Sequence, residues 1–227
     1  MSTKPPPSVT VAGARVEITA PALTSTLPAP SRRPNSAAAS VKLGVQIAPV
    51  CAVNGNHETC IRRNDRKVGL VYSTYIDDIK EAGVRVLNNE SCRRMIKGND
   101  LTVTGFEAPY ASYKKLRRPR LNPRALPPIP ADREETFSIL LAHNPAFVPL
   151  YLRYGADLTL SGHYHGGIMR FGRHGVLASP YGCPLPRYGY GHYRLGDRHA
   201  IVSSGLGEHT IPFRINNPFE AVLIRVR

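Results

Sequence analysis

The sequence predicts an α/β fold built around a largely parallel sheet. Apolar runs of strand length alternate with segments of helical spacing, which is typical of βαβ units. Three of the apolar runs lead directly into a turn that carries histidine. The 227 residues have the size of one large domain that can bury most of its apolar surface.

The first 45 residues differ from the rest in composition. They contain seven prolines, no aspartate and no histidine, and their only acidic residue is Glu17. We predict that most of this segment is flexible, with a weak strand around residues 16–18. The predicted division is therefore a low-complexity segment over 1–45, disordered or foreign to the native domain, and an α/β domain over 46–227.

The predicted strands of the domain cover residues 50–53, 84–87, 101–104, 137–142, 157–161, 200–203 and 221–226. Tyr72, Ile76, Ile79 and Gly83 recur at helical spacing and predict a helix between the first two strands. A second, short helix is predicted over 147–153. A basic, proline-rich loop occupies 114–130, between the third and fourth strands.

The composition restricts the partners and the compartment without choosing one partner. Lys and Arg number 30 against 16 acidic residues, which gives a net charge of +14. Such a charge attracts phosphorylated substrates, nucleic acid or an acidic membrane face, and an ordinary basic surface explains the charge equally well.

The four cysteines, Cys51, Cys60, Cys92 and Cys183, lack CxxC spacing, which disfavours a zinc ribbon or a thioredoxin-like site. Since no stretch reads as a signal peptide or a membrane span, we predict a cytoplasmic protein.

Histidine and amide side chains follow the ends of three predicted strands. The turns contain Asn56 and His57, then His143, then His163 and His165. The carboxyl ends of parallel strands meet at one edge of a sheet, so these side chains are expected to lie close together. Imidazoles with an amide oxygen suit Zn, Mn or Fe. A single histidine of this kind is more often structural, but three turns of the same type favour a metal site.

These residues form a motif set that resembles a known family. Gly55-Asn56-His57-Glu58, a strand ending at His143, and Gly162-His163-Tyr164-His165 resemble, in this order, the calcineurin-like metallophosphoesterases. The tail over 203–227 is similar to a bacterial branch that includes membrane-associated, lipid-headgroup-type phosphodiesterases. The resemblance implies a four-layer α/β/β/α sandwich and metal-dependent hydrolysis of phosphomonoesters or phosphodiesters.

The resemblance also implies roles for individual residues. His57 would lie beside the reacting phosphate, and Glu58 would orient its neighbours. His165 would bind one metal ion of a binuclear pair of Mn, Fe or Zn. The other ion would be bound by Asn56, His143 and His163.

The family pattern is incomplete in this sequence. Its Asp-x-His and Gly-Asp-x-x-Asp motifs would precede His57, yet the first histidine is His57 and the first aspartate is Asp65. We therefore expect an incomplete sandwich and a single or weakly bound metal. Two accounts remain open: a segment over 1–45 produced by a wrong frame, a wrong start or a degraded gene, or a genuine pseudoenzyme that binds metal or phosphate without turnover.

The expected partner is a phosphorylated small molecule or a lipid headgroup, with an anionic membrane surface as a further candidate. Nucleic acid is disfavoured because the basic loop has few aromatic residues beyond Tyr110 and Tyr113. Its basic side chains are Lys114, Lys115, Arg117, Arg118, Arg120 and Arg124. Surface or packing roles are predicted for the remaining candidates, which are His174, His192, His199, His209, Tyr181, Tyr188, Tyr190 and Tyr193.

Overall fold

The computed structural model describes residues 8–11, 14–19, 48–67, 71–96, 98–114, 119–128, 136–171, 174–176, 186–207 and 214–226. The helices are α1 (Asn56–Asn64), α2 (Val71–Glu81) and α3 (Val148–Tyr154). The strands are β1 (Ser8–Val11), β2 (Ala14–Thr19), β3 (Cys51–Ala52), β4 (Arg85–Val86), β5 (Ser91–Ile96), β6 (Asn99–Phe106), β7 (Phe137–Ala142), β8 (Leu158–Ser161), β9 (Met169–Phe171), β10 (His174–Val176), β11 (Gly191–Leu195), β12 (Arg198–Val202) and β13 (Leu223–Val226).

The main sheet has six strands in the order β11-β12-β8-β7-β6-β5. Its four central strands, β12, β8, β7 and β6, run parallel to one another. The two outer strands, β11 and β5, pair antiparallel with their neighbours. The α/β fold class and the largely parallel sheet are thus confirmed, with antiparallel strands at both edges.

The core lies against the main sheet and is centred on α3. Leu140 of β7 and Val148 and Tyr151 of α3 are fully buried, and Phe106 at the end of β6 is 1% exposed. The rings of Phe106 and Tyr151 meet edge to face with centroids 6.1 Å apart. Dense packing behind β6 and β7 fixes the ends of these strands, because well-packed interiors resist small displacements.

A second, two-stranded parallel sheet joins β3 to β4. Ile76 and Ile79 of α2 pack over it with Val84 and form a small core of their own. After β3, the backbone N of Asn54 donates to the side chain of Asn88, at Oδ1, over 3.0 Å. Within the described residues, β3 pairs with β4 alone.

A third sheet joins the two ends of the chain in the order β1-β2-β13. Strand β13 runs antiparallel to β2, and Ile224 is opposite Ile18. The weak strand predicted around residues 16–18 is therefore present as β2. Strand β1 was not predicted, since residues 8–11 belong to the part of 1–45 for which flexibility was expected. That expectation otherwise concerns residues outside the described part, and the proposed boundary at 45 stays a prediction.

Among the elements that the sequence patterns missed are helix α1 and both edge strands of the main sheet, β5 and β11. The Asn56-His57-Glu58 segment begins α1 rather than forming a turn, because Glu58 Oε2 accepts from Gly55 N at 3.0 Å and so caps the helix. Strand β5 was not predicted from the sequence. Cys92 is its only buried residue, so its apolar and polar residues do not alternate. Strand β11 shows no apolar pattern either, since no residue within it is fully buried.

The buried carboxylate of Glu107, which follows β6, attaches α1 to the main sheet. Its Oε1 accepts from Thr59 Oγ1 at 3.0 Å and from Asn54 Nδ2 at 3.2 Å. Its Oε2 lies 3.0 Å from an Arg62 guanidinium nitrogen whose side chain is half exposed. A buried charge is tolerated when hydrogen bonds and a counter-charge compensate its desolvation, and both are present here.

A histidine pair occupies the β11–β12 edge of the sheet. His192 Nε2 and His199 Nδ1 are 2.8 Å apart, and the two rings stack. Burial, reinforced by His192 and Arg194, lowers the pKa of His199 from 6.5 to about 4. The ring of His199 is therefore neutral in the folded protein near pH 7 and is fixed by packing, as its predicted structural role requires.

The Glu107 network leads to a first prediction, on stability. Glu107→Ala should lower the free energy of unfolding by about 2 kcal/mol, because it removes a buried acceptor that Asn54 and Thr59 share, while each donor keeps a second acceptor. Urea denaturation followed by circular dichroism measures this. The matched control is Arg62→Gln, which should cost less than about 1 kcal/mol because its ion pair is exposed on the Arg62 side. If both variants lost the same unfolding free energy, the buried hydrogen bonds of Glu107 would not be what attaches α1 to the main sheet.

The histidine pair leads to a second prediction, on pH. The folded pKa of His199 lies below its unfolded value, so the unfolded state takes up the proton first and stability falls as the pH drops from 6.5 towards 4. This one group contributes a loss on the order of 3 kcal/mol over that window. Urea denaturation between pH 8 and 4.5, with EDTA present, should show a shallower pH dependence in His199→Asn.

His192→Gln is the control for the second prediction. Burial is the largest cause of the low pKa of His199 and survives this substitution. The control should therefore keep most of the wild-type pH dependence. An unchanged slope in His199→Asn would show that other groups cause the acid sensitivity.

Candidate metal centre

Three chain segments meet at the carboxyl edge of the main sheet. His143 directly follows β7, and the histidine loop over 162–167 directly follows the adjacent parallel strand β8. Gly162 N donates to His143 O at 3.1 Å, and Ser161 Oγ donates to Ala142 O at 2.6 Å, so the two strand ends are bonded together. Helix α1 presents its first turn to the same place.

The amide oxygen of Asn56 lies between two histidine rings. Asn56 Oδ1 is 3.1 Å from His143 Nε2 and 3.1 Å from His163 Nδ1. The two rings are tilted against each other with centroids 5.1 Å apart. His143 and His163 thus contact the same oxygen atom, although they lie 87 and 107 positions from Asn56 along the chain.

Burial keeps the imidazole of His143 uncharged. Together with charge repulsion from His165 and His57, it lowers the pKa of His143 from 6.5 to about 4. The imidazole of His143 is therefore neutral near pH 7, which is the form that binds metal ions.

Glycine is required where α1 approaches His143. A Cβ atom placed on Gly55 would lie 3.0 Å from both Cε1 and Nε2 of the His143 ring and 3.0 Å from Glu58 Oε2. Such contacts are tighter than real Cβ atoms ordinarily make, so a side chain here would separate α1 from His143. The glycine that opens the motif therefore has a steric purpose.

The remaining predicted site residues surround the cluster. His57 is exposed on the first turn of α1, and Glu58 is partly buried and bonded to Gly55 N. His165 is partly buried, and a Cβ atom on Gly207 would lie 3.3 Å from its Cε1. The structure thus brings Asn56, His143 and His163 into direct contact and places His57 and His165 beside them.

The donor set fits a metal ion, with one reservation about charge. Ligand atoms at about 2.1 Å from one ion lie roughly 3 Å from each other, as Asn56 Oδ1 does from both ring nitrogens. Two imidazoles and an amide oxygen are neutral donors. Within the described residues, no three His, Cys, Asp or Glu side chains are grouped to hold a metal, so neither His165 nor a carboxylate completes the donor set of Asn56, His143 and His163.

Sequence reasoning missed Tyr113, whose ring packs against both imidazoles of the cluster. Tyr113 is 9% exposed, and its ring centroid lies 5.3 Å from that of His163 and 6.3 Å from that of His143. No sequence periodicity marks the short 3-10 helix Tyr110–Tyr113 that places it there. The position of Tyr113 limits the orientations open to both imidazoles.

A cleft of about 220 Å³ opens beside the cluster. Gly55, Glu58, Tyr75 and His143 border it on the polar side, and its remaining lining includes Ala52, Val53, Ile76, Ile79 and Val86. The space is large enough for a small phosphorylated group next to His143.

The other singled-out residues lie elsewhere or outside the described part. His192 and His199 form the separate pair at the sheet edge, and Tyr188 packs edge to face on Tyr193. Lys114, Arg120 and Arg124 are exposed, and nothing tests the predicted exclusion of nucleic acid. Lys115, Arg117, Arg118, Tyr181 and His209 lie outside the described residues, as does the side chain of His174.

A membrane-spanning helix is not found among the described helices, each of which is too short and too polar to cross a bilayer.

Comparison with known proteins places this geometry in context. An uncharacterized metallophosphoesterase of Aquifex aeolicus (strain VF5) is 28% identical over 176 residues, covering 78% of this chain and 60% of the relative. The phosphodiesterase YaeI of Escherichia coli (strain K12) is 29% identical over 163 residues, covering 71% of this chain and 53% of the relative. The uncharacterized metallophosphoesterase YkuE of Bacillus subtilis (strain 168) is 38% identical over 82 residues, covering 36% and 28%.

The chain therefore spans between about a quarter and three fifths of the length of these relatives. No solved structure matches it. The model of the calcineurin-like phosphoesterase family matches residues 30–167, which is more than half of the chain and includes Asn56, His57, His143, His163 and His165. Members of this family generally bind divalent metals, and the predicted family resemblance is confirmed: the chain belongs to the calcineurin-like phosphoesterases.

Proposed function

We propose that this protein hydrolyses phosphomonoesters or phosphodiesters with the help of divalent metal bound at the carboxyl edge of the main sheet. The observation that carries the proposal is the shared contact of Asn56 Oδ1 with His143 and His163 at 3.1 Å. Three separate segments converge on one oxygen atom, and ordinary packing does not require such convergence.

Asn56, His143 and His163 are the proposed ligands of one ion, and His165 is the proposed ligand of a second. Bound divalent metal would polarise a phosphoryl oxygen and lower the pKa of a bound water. The low pKa of His143 means that protons do not compete for its ring above about pH 5. We propose Mn, Fe or Zn because imidazole nitrogen and amide oxygen suit these ions.

His57 is proposed to contact the reacting phosphate. Its exposed side chain lies on the first turn of α1, where unpaired backbone N–H groups and the helix dipole favour an anion. From this position the imidazole can stabilise negative charge on the phosphate or donate a proton to the leaving oxygen. Glu58 is proposed to keep α1 in place through its bond to Gly55 N.

The proposed substrate is a phosphorylated small molecule or a lipid headgroup. A net charge of +14 attracts such anions, and the cleft beside His143 can admit a small group. The name of the Escherichia coli relative favours a phosphodiester. The same charge would draw the protein to an anionic membrane surface, and a cytoplasmic location at such a surface is part of the proposal.

A second candidate is a pseudoenzyme that binds metal or phosphate without turnover. It is favoured by the finding that, among the described residues, no three His, Cys, Asp or Glu side chains are grouped to hold a metal. Without an anionic ligand, one or two dications would be poorly neutralised, so metal affinity would fall. The two candidates differ in turnover, not in the location of the site.

The third prediction separates these candidates. Isothermal titration with Mn²⁺ should show binding to the chelator-treated wild type, and His163→Ala should weaken it at least tenfold by removing a ligand. A chromogenic aryl phosphodiester should be hydrolysed by the Mn²⁺-loaded wild type. His57→Ala should reduce the rate by a factor of roughly 100 or more while leaving Mn²⁺ affinity nearly unchanged.

His192→Ala is the matched control, because it removes an imidazole of β11, whose contacts are with His199 and not with Asn56, His143 or His163. It should bind Mn²⁺ and hydrolyse the diester as the wild type does. Mn²⁺ binding without hydrolysis would favour the pseudoenzyme. Equal Mn²⁺ affinity in the wild type and in His163→Ala would refute the proposed metal centre.

A further inference from the structure

The loop that carries His163 and His165 has an unusual backbone. His163 and His165 have φ angles of 66° and 51°, and Gly166 and Gly167 follow with 70° and 84°. Left-handed conformations are unfavourable for residues with a Cβ atom and persist only where the surroundings enforce them. The contacts that enforce this loop therefore determine where both imidazoles lie.

Asn217 supplies two of these contacts from a distant part of the chain. Its Nδ2 donates to His165 O at 2.7 Å and to Gly167 O at 2.6 Å. The side chain is nearly inaccessible, with 2% exposure of the residue. A Cβ atom on Gly166 would lie only 2.5 Å from Asn217 Oδ1, so the amide fits directly against the backbone between the two bonded carbonyls.

The segment around Asn217 is also fixed by bonds outside the loop, including two between Ile215 and residues 168–170. Glu220 Oε2 accepts from Ser204 N and Ser203 Oγ, each at 3.1 Å. Arg214 donates to Ser204 O at 3.0 Å and to Gly207 O, and its guanidinium stacks over Phe219. These bonds attach residues 214–220 to the chain that follows β12. Asn217 is thus held from outside the histidine loop and can restrain it.

We propose that Asn217 is a positioning residue that holds His165, and with it the loop of His163, in the geometry needed for metal binding. The proposal rests on the proposed metal-dependent function, because it assigns the purpose of the restraint to the ligands. Asn217 itself would not touch metal or substrate. Its contribution is to keep two carbonyl oxygens in place so that the left-handed backbone does not relax.

The test compares Asn217→Asp with the matched control Asn216→Asp. The carboxylate introduced by Asn217→Asp would keep the shape of the side chain but face two carbonyl oxygens without a donor, so the loop should loosen. Asn216 is exposed, and its substitution introduces the same charge one residue away. We expect Mn²⁺ affinity, measured by isothermal titration, to fall at least tenfold in Asn217→Asp and to stay within twofold of wild type in Asn216→Asp.

The direction of this change excludes a simple charge effect. A carboxylate added near a cation site strengthens cation binding by electrostatics, whereas loss of positioning weakens it. A second readout needs no metal: amide hydrogen exchange at Gly167, whose N–H donates to Tyr164 O at 2.7 Å, should accelerate at least tenfold in chelator-treated Asn217→Asp. If Asn217→Asp folds poorly, Asn217→Ala replaces it in this measurement. The alanine variant lacks the donor and adds no charge, and it should show the same acceleration.

The two readouts distinguish the failure of this proposal from the failure of the proposed function. Wild-type exchange rates and Mn²⁺ affinity in both Asn217 variants would overturn the positioning role. If the wild type binds no Mn²⁺, the proposed function fails, and faster exchange at Gly167 in the variants would reduce Asn217 to a purely structural restraint. Accelerated exchange together with weakened Mn²⁺ binding supports the proposal.

Discussion

The candidate site depends on one contact, the sharing of Asn56 Oδ1 between His143 and His163. For that contact to form, β7 and β8 must be adjacent and parallel, so that His143 and the histidine loop emerge at the same edge. Helix α1 must also begin at Asn56. If the helix began one residue earlier or later, the Asn56 amide would be turned by about 100° around the helix axis. The sheet order, the helix start and the glycine at position 55 therefore serve the same convergence.

The contact is supported by separate restraints on each of its three sides. Glu107 attaches α1 through Asn54 and Thr59, the core around α3 fixes the end of β7, and Tyr113 packs on both imidazoles. Restraints of this kind matter because a ligand set is effective only when its side chains are held close to the productive geometry. The residues that supply them are buried, whereas His57, which would meet a substrate, is exposed.

The sequence predicted those parts of the molecule in which a local pattern coincides with the structure. Strand β7 was predicted with its observed bounds because its apolar run is bounded by polar residues, and the four central strands were anticipated for the same reason. The site residues could be named because histidines follow strand ends. Glu107 and Asn217 could not be found in this way, since their importance comes from partners 48 and about 50 residues away and no local spacing records such contacts. The start of α1 was missed because Asn56-His57 reads as a polar turn until the bond from Gly55 N to Glu58 is known.

Charge balance is the feature in which this site departs most from an ordinary metal centre. The converging donors are neutral, so a bound dication would retain most of its charge and would favour an anionic fourth partner. Glu58 borders the same cleft as His143, but its Oε2 is already engaged as the cap of α1. Recruiting this carboxylate to the ion would release Gly55 N and loosen the first turn of the helix that presents Asn56. Glu58 therefore serves the site better as the cap that orients Asn56, and a phosphate group is the natural anion to complete the charge balance at the exposed side of the cluster.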